Sequence, residues 1–203
     1  MTSEAFRKDK FLRASGYNFY VWAVVNVAIL WPLWSALGGH PWSPWAALFY
    51  PIGLIVVGSV LCGLNDNRVQ KMWGPATEPP VVDAAVFWAP IFMIGLVLTI
   101  VLSVRGPVAY VQPVWLLLIG AGYWTWGGFG VPEFRWLGWT LVAAGMLAGL
   151  AIRPAVETWL LASSDALLIW VVFMGALWLP FGAYINWKYV VPRPQAQEVG
   201  GAE

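Results

Sequence analysis

Few side chains in this chain of 203 residues have the chemistry for catalysis, and they are badly placed for it. The single histidine, His40, sits in Gly38-Gly39-His40-Pro41. One imidazole cannot supply paired axial ligands to a haem or a two-histidine metal centre. The single cysteine, Cys62, excludes an internal disulfide, a cysteine-rich metal site and a CxxC redox pair. His-Glu-x-x-His, Gly-x-Ser-x-Gly and the phosphate-binding Walker loop are all absent from the sequence. Gly127-Gly128-Phe129-Gly130 is glycine-rich but lacks the following Lys-Ser/Thr, so it reads as a turn. No catalytic residue and no metal-ligand set is expected, and an enzyme ranks last among the functional readings.

The remaining polar candidates are few. Asp165 follows Ser163 and Ser164; its simplest role is an acidic first-turn residue complementing a helix dipole, its sharper one a proton or cation site. Asn26 lies inside an apolar run, where an amide most often bonds between helices and could otherwise hold a polar ligand. Glu157, four residues after Arg153, can form an exposed ion pair. A joint Glu157–Asp165 site would need a bend, because eight residues of continuous helix separate them by about 12 Å. Asn186, with Tyr184 and Lys188, reads as an anchor at the membrane boundary. Trp170 and Trp178 are eight residues apart and share one helix face. They are the weak candidates for contact with a lipid, pigment or quinone, packing on a neighbouring helix being the simpler role, and no cofactor is otherwise expected.

The elements that would position these residues are apolar helices. Hydrophobic residues make up 60% of the chain and charged residues 10%, against about 25% charged in globular domains. The apolar runs are continuous, which disfavours a β-barrel, whose strands alternate. The expected fold is all-α: a polytopic membrane bundle of six transmembrane helices at 17–37, 44–64, 83–103, 113–129, 132–152 and 164–187. A basic stretch, 1–16, precedes it, and a polar tail, 191–203, follows. The first apolar run reads as a retained signal anchor rather than a cleaved signal peptide. Ser43-Pro44 has the form of an N-cap followed by a first-turn proline, Pro113 and Pro132 open two further segments, and Asp83 caps the third. Asn65–Val82 is expected to be the longest cytoplasmic loop, and Ala151–Ala162 an interfacial amphipathic stretch. Segment 113–129 is near the short limit for spanning; five spans with a re-entrant hairpin is the alternative.

Basic residues fix the expected orientation. Arg7, Lys8, Lys10, Arg13, Arg68, Lys71, Arg135, Lys188 and Arg193 fall on one side, and Arg105 and Arg153 on the other. Both termini then face the cytoplasm, in the inner membrane. Most of the sixteen tryptophans fall near segment boundaries, as an aromatic belt requires. Gly145 and Gly149 form a GxxxG pair, and Ser59 and Gly63 a small-xxx-small pair, both suited to close helix packing. Pro90 and Pro180 predict kinks.

Residues 6–64 resemble the bacterial 2TM domain, a two-helix membrane module. The match rests on Val25-Asn26 with Trp22 four residues before, then Trp45, Tyr50 and Ile52-Gly53-Leu54, with basic residues preceding the first helix. Asn18 and Val57 stand where that family commonly has histidine, and Pro51 where it has glycine. The resemblance implies a membrane module and no reaction. The function expected is a non-catalytic accessory, structural or assembly subunit packed against lipid and other membrane proteins, with no nucleic-acid partner. A small-solute or ion transporter or channel, and a sensory or regulatory module, are the alternatives.

Overall fold

The computed structural model describes residues 10–32, 35, 39–40, 42–73, 84–105, 110–129, 131–151 and 168–190. Among these residues the structure is all-helical, without strands. The long helices are α1 (Lys10–Ala28), α2 (Pro44–Trp73), α3 (Ala84–Arg105), α4 (Val111–Phe129) and α5 (Glu133–Ala151). A further helical segment, α6, covers 168–190.

Local chemistry accounts for most of the ends. Ser43 Oγ accepts the Ala46 N–H at 3.2 Å, so α2 opens with the expected cap and with Pro44 at its first position. Glu133 lies in the first turn of α5, where its charge complements the helix dipole. α1 is interrupted by a turn at Ile29–Leu30, after which Trp31, Pro32 and Ser35 are again helical. Pro32 is the cause: it has no N–H for the Ala28 carbonyl, and its ring crowds the residue before it. The Asn65–Val82 loop is corrected in part, because Asn65 to Trp73 continue α2 as helix. The first helix-breaking pair after Leu64 is Gly74-Pro75; Asn65, Asp66 and Asn67 are weaker helix formers, and the first two bond to Asn18 of α1. The expected turn at Gly127-Gly128 is also corrected: both glycines belong to the last turn of α4, which runs unbroken to Phe129.

α6 is irregular for a reason. Turns Val171–Ala176 and Asn186–Val190 are π-helical and flank the α-helical Trp178–Ile185. Leu177 N–H donates to Val172 O, five residues back, at 2.8 Å. The widened turn lies just before Pro180, which cannot donate to the Ala176 carbonyl and would crowd it in a regular helix.

Neighbouring helices run antiparallel. Asn18 of α1 meets Asn65 and Asp66 of α2, while Val25 meets Gly58. Phe87 of α3 meets Phe129 of α4, and farther along Thr99 meets Trp115. α1 and α6 pair from Gly16 against Asn186 to Asn26 against Trp170. α4 and α5 approach most closely, along glycines. A Cβ on Gly120 would lie 2.8 Å from the Val142 nitrogen, one on Gly127 2.5 Å from the Arg135 nitrogen, and one on Gly145 2.9 Å from Leu117 Cγ. Gly138 faces Trp124 and the Gly120 carbonyl across the same seam. These glycines repeat at seven residues on each helix, 120/127 and 138/145, which keeps them on one side.

The core lies where α1, α4, α5 and α6 converge, around Phe19, Leu116, Phe134, Leu141 and Met174. The outer faces are apolar too: Ile52, Val56 and Val60 of α2, and Met93, Val97 and Ile100 of α3, are exposed. Phe49–Arg68 and Leu168–Lys188 are long and apolar enough to cross a membrane, and Val86–Leu102 forms a shorter apolar helix.

Candidate functional site

The interior is built around one phenylalanine. The Phe19 ring centroid on α1 lies 5.2 Å from Trp178 and 4.9 Å from Phe181 on α6, 5.7 Å from Tyr123 on α4 and 6.0 Å from Phe134 on α5. Tyr123 extends the cluster to Trp88 of α3 at 5.0 Å, and Trp178 also meets Tyr123 edge-on at 5.8 Å. Each such pair contributes about 0.5–1.5 kcal/mol beyond its buried area. Five helices thus meet in one set of rings. Small residues bring α1 and α6 close enough for this: a Cβ on Gly182 would lie 2.7 Å from the Gly16 carbonyl, and one on Gly16 would collide with the Asn186 carboxamide.

Polar groups tie the same end of the bundle together. Asn18 Nδ2 donates to Asp66 Oδ1 at 3.2 Å, and Asn65 Nδ2 donates to Asn18 Oδ1 at 3.1 Å. Asn18 thus spends both ends of its amide on α2. Across the bundle, Lys188 at the end of α6 forms an ion pair with Glu133 at the start of α5, and Tyr184 points its hydroxyl at the same carboxylate. The two charges sit at helix termini of the favourable sign.

The sequence candidates are distributed differently from one another. Trp170 is buried, and its indole N–H donates to the Asn26 backbone carbonyl at 3.1 Å. Asn26 is itself buried, 7% exposed, where α1 meets α6. Trp178 is enclosed by the aromatic core, so protein groups cover both tryptophans singled out for a cofactor. Gly145 packs on α4, with Gly149 at the looser end of that contact, where a Cβ would lie 3.9 Å from Pro113 Cβ. Ser59 and Gly63 face outward; Ser59 donates to the Ile55 carbonyl, a Cβ on Gly63 would meet nothing from another helix within 4 Å, and Gly58 makes the contact with α1 instead. His40 is exposed beyond the end of α1. Asp165, Glu157 and the Asp83 cap lie outside the described residues.

No family model, curated protein or solved structure matches the chain. Function must therefore be argued from the chain's own geometry. Among the described residues no group of three His, Cys, Asp or Glu is placed to hold a metal ion. Three buried polar atoms lack a hydrogen-bond partner among those residues: Gln112 Oε1, Trp178 Nε1 and Asn186 Oδ1. Trp178 and Asn186 are eight positions apart, about 12 Å along a helix, so they do not form one site. Among the described residues the arrangement holds helices together.

The Asn18–Asn65–Asp66 contact and the Glu133–Lys188 pair escaped sequence reasoning. The partners are 47, 48 and 55 residues apart, so no local pattern joins them. Gly120 and Gly138 did leave a signal, the seven-residue spacing to Gly127 and Gly145, but it is not a GxxxG pattern.

Proposed function

We propose that this chain is a non-catalytic membrane protein that crosses the inner membrane six times, with both termini in the cytoplasm, and serves as an accessory or assembly subunit beside other membrane proteins. The observation carrying this reading is the apolar outer surface of α2 and α3. Large side chains such as Val86, Phe49 and Met93 are at least 60% exposed. Side chains of this kind belong against lipid or another helix, and a contiguous patch on this scale signals an interaction surface.

Further support comes from length and from the ends. α1, α4 and α5 are each 19 residues long, about 28 Å, close to the hydrocarbon thickness of a bilayer. Trp124, Trp136, Trp139 and Trp187 are exposed towards one end, and Trp31 and Trp45 towards the other, as two interfacial belts. Trp22, Trp88, Trp115 and Trp126 leave the expected belts and pack inside. Lys10, Arg68, Lys71, Arg135 and Lys188 share the Trp136 end with the start of α1, which favours that end as cytoplasmic. The α1–α2 pair would then stand as a membrane module of the 2TM kind.

The test is isolation of the tagged full-length protein from native membranes in mild detergent, after cross-linking in place. A stoichiometric membrane partner, cross-linked through α2 or α3, is expected. A monomer with no reproducible neighbour would remove the accessory role.

A further inference from the structure

A groove of about 530 Å³ opens on the outer side of the α3–α4 pair. Phe87, Pro90 and Ile91 form one wall, and Leu118, Ala121 and Thr125 the other. The only hydroxyl on it, Thr125 Oγ, donates to its own helix at the Ala121 carbonyl, 2.9 Å away. The floor is low because Gly122 has no side chain; a Cβ there would lie 2.5 Å from the Trp88 ring.

The α4 wall follows one helix stripe, 118, 121 and 125, and Gly128 is the next position on it. Gly128 lies about 4.5 Å farther along the axis, towards the end of the helix. At that position, one step past the groove's lining, stands a charge. The Arg135 stem lies along Gly127, its Cγ 2.7 Å from where a Cβ would stand, and Nη2 is 3.2 Å from the corresponding point on Gly128. The missing side chains let the guanidinium reach over α4 from α5. Arg135 is exposed, and its side chain has no hydrogen bond or ion pair among the described residues. The nearby carboxylate, Glu133, is held by Lys188. Trp136, 75% exposed, and Phe129 lie at the same level, where headgroups meet hydrocarbon.

We infer that this groove and Arg135 together form a binding site for one anionic glycerophospholipid. An acyl chain lies along Leu118, Ala121 and Thr125, and the phosphate accepts hydrogen bonds from the Arg135 guanidinium. The apolar length ending in an unpaired cation matches an amphiphile whose charge lies at one end. A free phosphate would leave the groove empty, and a zwitterionic lipid would bring a second cation, its choline, beside the guanidinium along with the phosphate. The guanidinium presents a fork of donors, which suits a phosphate better than a point charge would. The site rests on the membrane reading given above.

The experiment uses the full-length protein, delipidated in mild detergent. It is titrated with dioleoyl phosphatidylglycerol or dioleoyl phosphatidylcholine, with bound lipid read by native mass spectrometry. The wild type should prefer the anionic lipid by about tenfold, the size of one charge-assisted hydrogen bond. Arg135→Gln should reduce that preference to near unity while still binding both lipids weakly. Ala121→Trp, which fills the groove from an exposed position, should abolish retention of both. Equal retention of the two lipids by the wild type, or a preference that survives Arg135→Gln, would overturn the site. Alkaline carbonate washing of the source membranes reads the other claim separately. A protein that stays in the membrane yet shows no lipid preference sinks only this site; one released by carbonate sinks the membrane reading itself.

Discussion

Phe19 and Trp170 show how differently two buried rings act. Phe19 touches aromatic groups on three other helices, so truncation opens a cavity at their junction. Phe19→Ala should lower stability by about 3–5 kcal/mol, measured by reversible unfolding in mixed micelles. Trp170 adds a hydrogen bond to ring burial. Trp170→Phe keeps most of the ring and loses that bond, for a loss of about 1 kcal/mol, and Trp170→Ala should cost several times more. A loss from Trp170→Phe as large as that from Trp170→Ala would mean that the bond to Asn26, and not packing, holds α6 to α1. Lys188 is more than a third exposed, so its pair with Glu133 is screened. A double-mutant cycle of Lys188→Met and Glu133→Gln should return less than about 1 kcal/mol of coupling. This pair orients the ends of α5 and α6 more than it stabilises them.

At the scale of elements, the α4–α5 hairpin depends on glycine and the α2 surface does not. Gly138→Leu and Gly145→Leu place side chains where backbone atoms of α4 already lie, so folded yield by size-exclusion chromatography should collapse. Gly63→Leu and Gly53→Leu meet open space and should change stability by under about 0.5 kcal/mol. If the four variants behaved alike, the seam would not be the determinant of the hairpin. Helix starts governed by one or two adjacent residues could be read in the sequence; Ser43-Pro44 is the clearest. The end of α2 could not, because Asn65 and Asp66 look like loop residues until their partner on α1 is known. Trp170 and Trp178 were placed on one face by spacing alone. That their rings would be filled by Phe19 and Asn26, and not by a ligand, depends on contacts across more than 140 positions for Trp170 and Asn26.

For the whole molecule, composition was informative because so few charges must serve so much surface. It pointed to apolar helices, yet it carried no record of which faces would be left over. Those faces emerge from the packing: α1 lies among α2, α4 and α6, whereas α2 and α3 keep apolar sides outward. The proposed topology makes a direct prediction. In a Cys62→Ser background, cysteine at Ser43 and cysteine at Asn67, both exposed, should react with an impermeant maleimide from opposite sides of sealed vesicles. Labelling of both from one side would contradict six alternating spans.

The seam between α4 and α5 bears on how such a protein is made. Only 130–132 separate Phe129 from Glu133, and the seam glycines Gly120, Gly127, Gly138 and Gly145 all face partners within that hairpin. The two segments can therefore zip together as soon as both have left the ribosome. α1 gains its aromatic partner Trp178 only after α2 to α5 have been synthesised. Assembly should then proceed from the middle of the polypeptide outward, and a ribosome stalled after α5 should already hold a protease-resistant pair.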